Sequence, residues 1–288
     1  MDPFAALFAH VTPRARTFFI GKLCQTAQFT DEGHLHLLKG GELTVVQTGE
    51  GDLQLDEPTL LFFPRGRVHS FAVNAERGAD LVCATVELGG ADGNPIGKGL
   101  PELVVLPLAS YPPLAPVCDL LLGEAFSERS GREAALDRLF DYLLILIVRQ
   151  VVESGRVATG VLAGLADPRL AKALTAMHEA PKKSWTLDDL AGIAGMSRTR
   201  FAEHFRARIG RTPIDYLTVW RMTVACQLLA EGKPVKSVAL QVGYRSAAAF
   251  SRVFSRVTGQ TPRNSNDTGL KGQQVISPSR ARTSSRIR

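Results

Sequence analysis

In the first quarter of the chain, His34, His36, Glu42 and His69 have side chains with metal-ligating chemistry and a spacing that could bring them together. On a strand, His34-Leu35-His36 turns both imidazoles to one face, and His69 on a neighbouring strand would meet them there. Three imidazoles and a carboxylate make a donor set for a divalent metal, which gives His34, His36 and His69 as metal candidates with Glu42 completing the set. The same four side chains, His34, His36, Glu42 and His69, equally suit the polar lining of a small-molecule pocket in a barrel. A second group lies near the other end. Arg198, Thr199, Arg200, Glu203 and Arg206 fall on one short segment, and Arg245, Ala247, Ala248, Ser251 and Arg252 on another. Guanidinium groups pair with phosphates and with the guanine edge. Hydroxyls and carboxylates meet base edges, and alanine methyls meet thymine methyls. Both segments therefore have the composition of a surface that reads duplex DNA. Arg252 is the expected bidentate contact to guanine, with Thr199, Glu203 and Ser251 at base edges. Arg198, Arg200, Arg206 and Arg245 suit phosphates.

These segments need short, rigid helices behind them. In the first, Leu190, Ala191 and Ile193 are expected to pack inward, Gly195 to allow a sharp turn and Ser197 to cap the next helix. Phe201, Phe205 and Ile209 then anchor that helix, leaving its basic face outward. Thr186 and Asp189 have the spacing of a capping box. The second segment repeats the scheme, with Val235, Val238 and Ala239 inward, Gly243-Tyr244 at the turn, Ser246 as cap, and Phe250, Phe254 and Val257 as anchors. Between the two, Ile214, Leu217, Trp220, Val224 and Leu228 mark one long helix opened by Thr212-Pro213. Two helix-turn-helix units held by a stiff helix would enter successive major grooves, roughly 34 Å apart.

Charge divides the chain in the same way. Residues 1–166 carry 13 Lys and Arg against 20 Asp and Glu, residues 167–263 carry 16 against 7, and residues 264–288 carry 5 against 1. An acidic part followed by a basic part places the polyanion partner on the second. The tail from 264 to 288, polar and basic with little apolar content, reads as disordered.

The histidines sit in a different background. From Thr17 to about Leu88 short apolar runs alternate with turn signals, as in an all-β sandwich or barrel. Strands are expected over His34–Leu38, Leu43–Thr48, Thr59–Phe63, His69–Val73 and Leu81–Leu88, followed by irregular structure over 89–113. Residues 114–154 then read as two helices. The second is apolar on more than one face, through Leu139, Leu143, Ile145, Leu146 and their neighbours, which suits packing on the barrel and on a second subunit. Cys24, Cys83, Cys118 and Cys226 are scattered without a CxxC pair, so neither a zinc knuckle nor a disulfide framework is expected. No run of eighteen apolar residues and no leader pattern is found, which gives a cytoplasmic protein without a membrane partner.

The stretches GMSRTRFAEHFRARIGRTPIDYLTVWRM and VALQVGYRSAAAFSRVFSRVTGQTPR resemble the DNA-binding domain of AraC/XylS-type regulators. HLH at 34–36, Glu42, Gly49 and PRGRVH at 64–69 are similar to the cupin motifs of the sensor domains in that family. The resemblance implies an α+β multidomain chain: a cupin-like β-barrel sensor over 1–110, a helical linker and dimerisation region over 111–160, and an all-α DNA-binding domain over 167–263. It also implies a homodimer, a small-molecule effector bound in the barrel, RNA polymerase as a partner, and activation of transcription, with no catalytic residue of its own. Beside it stands the alternative of a metal-dependent cupin enzyme with an accessory helical domain.

Overall fold

The computed structural model describes residues 4–11, 13–29, 32–47, 51–88 and 95–263. The tail beyond 263, Gly49 and the end of the expected strand at Thr48 lie outside them. The chain divides into two compact units. Over the described residues, one contains Pro13–Glu87 and Leu100–Gln150, and the other contains residues 4–11, Leu88, 95–99 and 151–263.

The first unit is built on two antiparallel sheets. Strands β1 (Arg14–Leu23), β3 (Gly33–Gly41), β6 (Thr59–Phe63), β8 (Ala79–Glu87) and β9 (Val104–Pro107) form a five-stranded sheet in the order β1-β8-β3-β6-β9. Strands β2 (Ala27–Phe29), β4 (Leu43–Gln47), β5 (Leu53–Leu55) and β7 (His69–Val73) form a four-stranded sheet in the order β2-β7-β4-β5. Alternate residues of both sheets meet in one core, with Leu38, Val45, Leu61, Phe63, Phe71, Leu81 and Cys83 buried together. Burying a Val, Leu or Phe side chain in this way contributes about 1.5–3 kcal/mol. The five expected strands are all present, and β1, β2, β5 and β9 are additional. Strand β9 falls in the stretch expected to be irregular, because the prolines flanking Val104–Leu106 obscure its alternation.

Helices α3 (Ala115–Ala125) and α4 (Arg132–Glu153) follow the strands. Asp141 and Asp137, one turn apart on α4, accept the backbone N–H groups of Ala15 and Thr17 at 3.0 and 3.3 Å. Edge strand β1 is covered in this way. Leu136, Phe140, Leu143, Leu144, Ile147 and Val148 of α4 are buried, while Tyr142 stays half exposed, with Leu139 and Leu146 beside it partly covered.

The second unit is helical. It holds α1 (Ala5–His10), α2 (Pro95–Gly99), α5 (Val161–Ala166), α6 (Pro168–Glu179), α7 (Leu187–Ala194), α8 (Arg198–Ile209), α9 (Pro213–Ala230), α10 (Val235–Gln241) and α11 (Ala247–Thr258). The assignment of residues 1–110 to the barrel changes at two places. Helix α1 packs on α6 and α9, burying Leu7 and Val11, and His10 Nδ1 lies 2.7 Å from Gln227 Oε1. Helix α2 packs on α5, with no side-chain volume at Gly99 to hold them apart. These contacts lie over a hundred residues apart in sequence in α1's case, beyond what local pattern can show. Among the described residues no helix is long and apolar enough to cross a membrane.

Candidate nucleic-acid interface and metal centre

Both helix-turn-helix units are formed by the local devices the sequence carries. Thr186 and Asp189 make the full capping box at the start of α7, with Asp189 N donating to Thr186 Oγ1 at 3.1 Å and Thr186 N to Asp189 Oδ2 at 3.0 Å. Gly195 closes α7 at φ 64°, a left-handed conformation that costs a side-chain-bearing residue about 1–2 kcal/mol. Gly243 turns the second unit at φ 87°. Ser246 caps α11 by accepting from Ala249 N at 3.2 Å. Two expectations are corrected. Ser197 occupies the N-cap position of α8 without a side-chain hydrogen bond, and Ile193 is 37% exposed while Leu190, Ala191 and Ala194 carry the inward face.

The expected reading residues emerge as two equivalent faces. On α8, Phe201, Phe205 and Ile209 are buried, and Arg198, Thr199, Glu203 and Arg206 are exposed on the opposite side, with Arg200 exposed beside them. On α11, Phe250 and Phe254 are buried, with Val257 partly so; Ala248 and Arg252 are exposed and Ala247 and Ser251 half-exposed. Arg245 is exposed in the turn before it. Arg198 lies 3.5 Å from Asp188, an exposed pair that competes only weakly with a phosphate. His204, on the flank of α8, was not among the expected residues. Its Nε2 lies 2.6 Å from Asp167 Oδ2, while Asp167 Oδ1 accepts from Arg169 N and Leu170 N as the N-cap of α6. The backbone bond from Leu170, the side-chain bond from His204 and the bond from Arg169 together outweigh burial and hold the Asp167 carboxyl below the usual range.

In the barrel unit, His34 and His36 project from β3 to the same side and meet His69 of β7, and their ligand nitrogens lie within 4.8 Å of one another. All three are buried. His69 Nδ1 donates to the Arg67 carbonyl at 2.8 Å, which fixes its tautomer and leaves Nε2 as a lone pair. That nitrogen faces His36 Nε2 at 3.0 Å. Two nitrogens bound to one zinc at roughly 2.05 Å and a tetrahedral angle would stand about 3.3 Å apart. Burial lowers the His34 and His69 pKa values to about 4 and that of His36 well below its ordinary value, the last with help from the neighbouring imidazoles. Neutral imidazole is the ligating form.

Nδ1 of His34 and Nδ1 of His36 are buried without a hydrogen-bond partner, as is Oε1 of Gln47. Gln47 stands directly across from His69 in the β4–β7 register and was not singled out from sequence, since a lone glutamine at a strand end carries no signal. Glu42 does not join the set. It is exposed at the mouth of the β3–β4 turn and pairs with Arg77 Nη1 at 3.2 Å. The rest of the histidine environment is aromatic: His69 stacks on Phe63 with centroids 3.7 Å apart, and Phe29 lies 4.6 Å from His36. Such dense packing suits an ion better than an organic ligand. Elsewhere in this unit Lys39, Pro58, Leu108, Asp119, Leu122 and Phe126 line an open groove of about 370 Å³.

Two family models match the chain. The cupin family model matches residues 2–153 and a helix-turn-helix domain model matches residues 190–266. Among curated proteins, an uncharacterized HTH-type transcriptional regulator of Haemophilus influenzae is 31% identical over 253 residues, covering 80% of this chain and 85% of the relative. The RCS-specific HTH-type transcriptional activator RclR of Escherichia coli is 30% identical, covering 77% and 84%. The HTH-type transcriptional regulator MtrA of Neisseria gonorrhoeae is 27% identical, covering 82% and 94%.

Proposed function

Because the chain belongs to the AraC-type helix-turn-helix transcriptional regulators that carry an N-terminal cupin domain, we propose that α8 and α11 read bases in two successive major grooves of one operator. Arg198, Thr199, Arg200, Glu203 and Arg206 serve the first half of that reading, and Arg245, Ala247, Ala248, Ser251 and Arg252 the second. The observation that carries this is the repetition itself: residues 198, 199, 202, 203 and 206 of one helix and 247, 248, 251, 252 and 255 of the other form the same outward face, each backed by buried phenylalanines. Helix α9, 18 residues and therefore about 27 Å long, supplies a span on the scale of one turn of duplex.

The barrel is the sensing half. The three buried, neutral histidines, whose ligand nitrogens lie within 4.8 Å of one another, favour a divalent metal as the bound species, held by His34, His36 and His69 with Gln47 beside them. Such a metal would supply charge and cross-link β3 to β7. The protein's own contribution is the aromatic shell that keeps water out and the Arg67 carbonyl that orients His69. The partly covered stripe of Leu139, Tyr142 and Leu146 on α4 supports a homodimer. Its relative RclR is named an activator, which supports activation through RNA polymerase in the cytoplasm. Relatives named as transcriptional regulators favour this reading over a cupin enzyme.

The test is selection of duplexes from a randomised pool by the full chain at near-physiological salt. Enrichment of a two-part motif with half-sites about one turn apart is the expected result. Retention of all sequences alike, with only a salt-dependent affinity, would refute it.

A further inference from the structure

We propose that Arg221 is the positioning residue that sets the spacing between the two reading helices, by clamping the first helix-turn-helix unit to the turn of the second. The proposal rests on the reading of α8 and α11 as the DNA-contacting helices. It starts from what lies between them. Helix α9 packs on α8 and also on α10 and α11, and so is shared by the two units. A single helix leaves each unit free to rock about its own contacts. Something else must fix the angle.

Arg221 is half-buried near the middle of α9. Its Nε donates to the Pro181 carbonyl at 2.7 Å and its Nη2 to the Lys183 carbonyl at 3.0 Å. Those carbonyls belong to the loop that feeds α7. The loop is itself rigid: Lys183 N and Trp185 Nε1 both donate to the Ala180 carbonyl, at 3.1 and 3.0 Å, and Lys183 Nζ sits 3.7 Å over the Trp185 ring. The other face of the guanidinium lies 5.9 Å from the ring centroid of Tyr244, in the turn between α10 and α11. Charge-assisted bonds to two carbonyls and a cation–π contact thus converge on one planar group.

Gly243 completes the joint. A Cβ at that position would lie 2.9 Å from the Lys182 carbonyl and 3.2 Å from Arg221 Nη2. The turn of the second unit therefore rests directly on the loop of the first, with the guanidinium as the third surface of the contact. Lysine cannot reproduce it, because an ammonium lacks the fork that meets two carbonyls in one plane. None of these groups belongs to the outward faces of α8 or α11.

The consequence is a preference for one operator spacing. Adding a base pair between the half-sites moves the second by about 3.4 Å and rotates it by roughly 35°. A rigid pair of units then loses simultaneous engagement, on the order of tenfold or more in affinity, whereas a loosened pair does not. The experiment uses the full chain and the two-part duplex it selects from a randomised pool. Variants with one base pair inserted or removed between the halves, and duplexes carrying one half-site alone, complete the set.

Arg221→Met and Tyr244→Leu should bind the selected duplex about tenfold more weakly, bind single half-sites as well as the parent, and discriminate spacing by less than about threefold. Arg221→Lys should fall between. Intact half-site binding shows in the same assay that the variants are folded. Equal weakening on half-sites and on all spacings, or undiminished spacing preference in both variants, overturns the clamp while leaving the DNA-reading helices in place. Failure of the parent chain to select any two-part duplex overturns that reading and the clamp with it.

Discussion

Acidification should destabilise the helical unit through one residue, His178 of α6. Burial pushes its pKa from 6.5 down to about 3, and the nearby His10 adds to the shift. The side chain is enclosed by the Tyr216 hydroxyl, to which Nε2 is hydrogen-bonded, and by the Trp220 ring at a centroid distance of 4.1 Å. Its Nδ1 has no partner, so nothing in the site rewards a second proton. The folded value lies below the unfolded one. The unfolded chain therefore takes up the proton first, and the stability held in neutral His178 is complete above about pH 6.5 and drains as pH falls toward 3. One pKa unit corresponds to about 1.4 kcal/mol, so between pH 7.5 and pH 5 the loss from this group is about 2 kcal/mol. Both tryptophans of the chain, Trp185 and Trp220, belong to this unit, so urea unfolding followed by tryptophan fluorescence reads it selectively. His178→Gln should be less stable than the parent at pH 7.5 but should lose about 2 kcal/mol less on going to pH 5. Asp167 is present in both proteins and cancels from the comparison. Equal losses in parent and variant would show that His178 is not held neutral and would refute the reasoning.

Zinc added at a hundredfold excess over its dissociation constant should stabilise the barrel unit by about 2.7 kcal/mol. A shift of roughly 5–10 °C in thermal melting follows, and it should vanish in His69→Phe, which keeps the stack on Phe63; an equal shift in that variant sinks the metal site. Arg252→Ala should cost about 1–3 kcal/mol on the selected operator and relax preference at one base pair, whereas uniform weakening on every sequence would make Arg252 a phosphate contact. Tyr142→Glu with Leu146→Glu should turn a dimer into a monomer in light scattering, and a dimer that persists places the interface elsewhere. Gly164→Ala would drive a methyl into the terminal carbons of Ile209 and Leu174, costing about 1–3 kcal/mol in the urea midpoint of the helical unit.

What could be read from the chain follows how local each signal is. The helix-turn-helix units were legible almost residue by residue, because a capping box, a left-handed glycine and phenylalanines four apart are set within a dozen positions. Where that reading failed, at Ile193 and Ser197, the side chain lies at the margin of a short helix, and its exposure depends on neighbours that periodicity does not include. The histidines were legible for a similar reason: strand alternation alone puts His34 and His36 on one face, and only His69 had to be brought from a distance. Glu42 failed because it sits just beyond β3, where the alternation that aims side chains inward has ended, and Arg77 offers it a partner at the surface.

Gln47 and Arg221 were invisible for a different reason. Gln47 matters only through the register of β4 against β7, which a one-residue slip would undo. Arg221 matters through two carbonyls 40 and 38 positions away and a turn glycine that leaves room for it. A backbone carbonyl carries no side-chain identity, so no sequence motif announces the acceptor of such a bond. Residues that make contact with DNA can be guessed from their own chemistry. Those that hold the contacting helices at a fixed separation are recognised only by what they touch, and the spacing preference of the operator is the property in which that difference should be measurable.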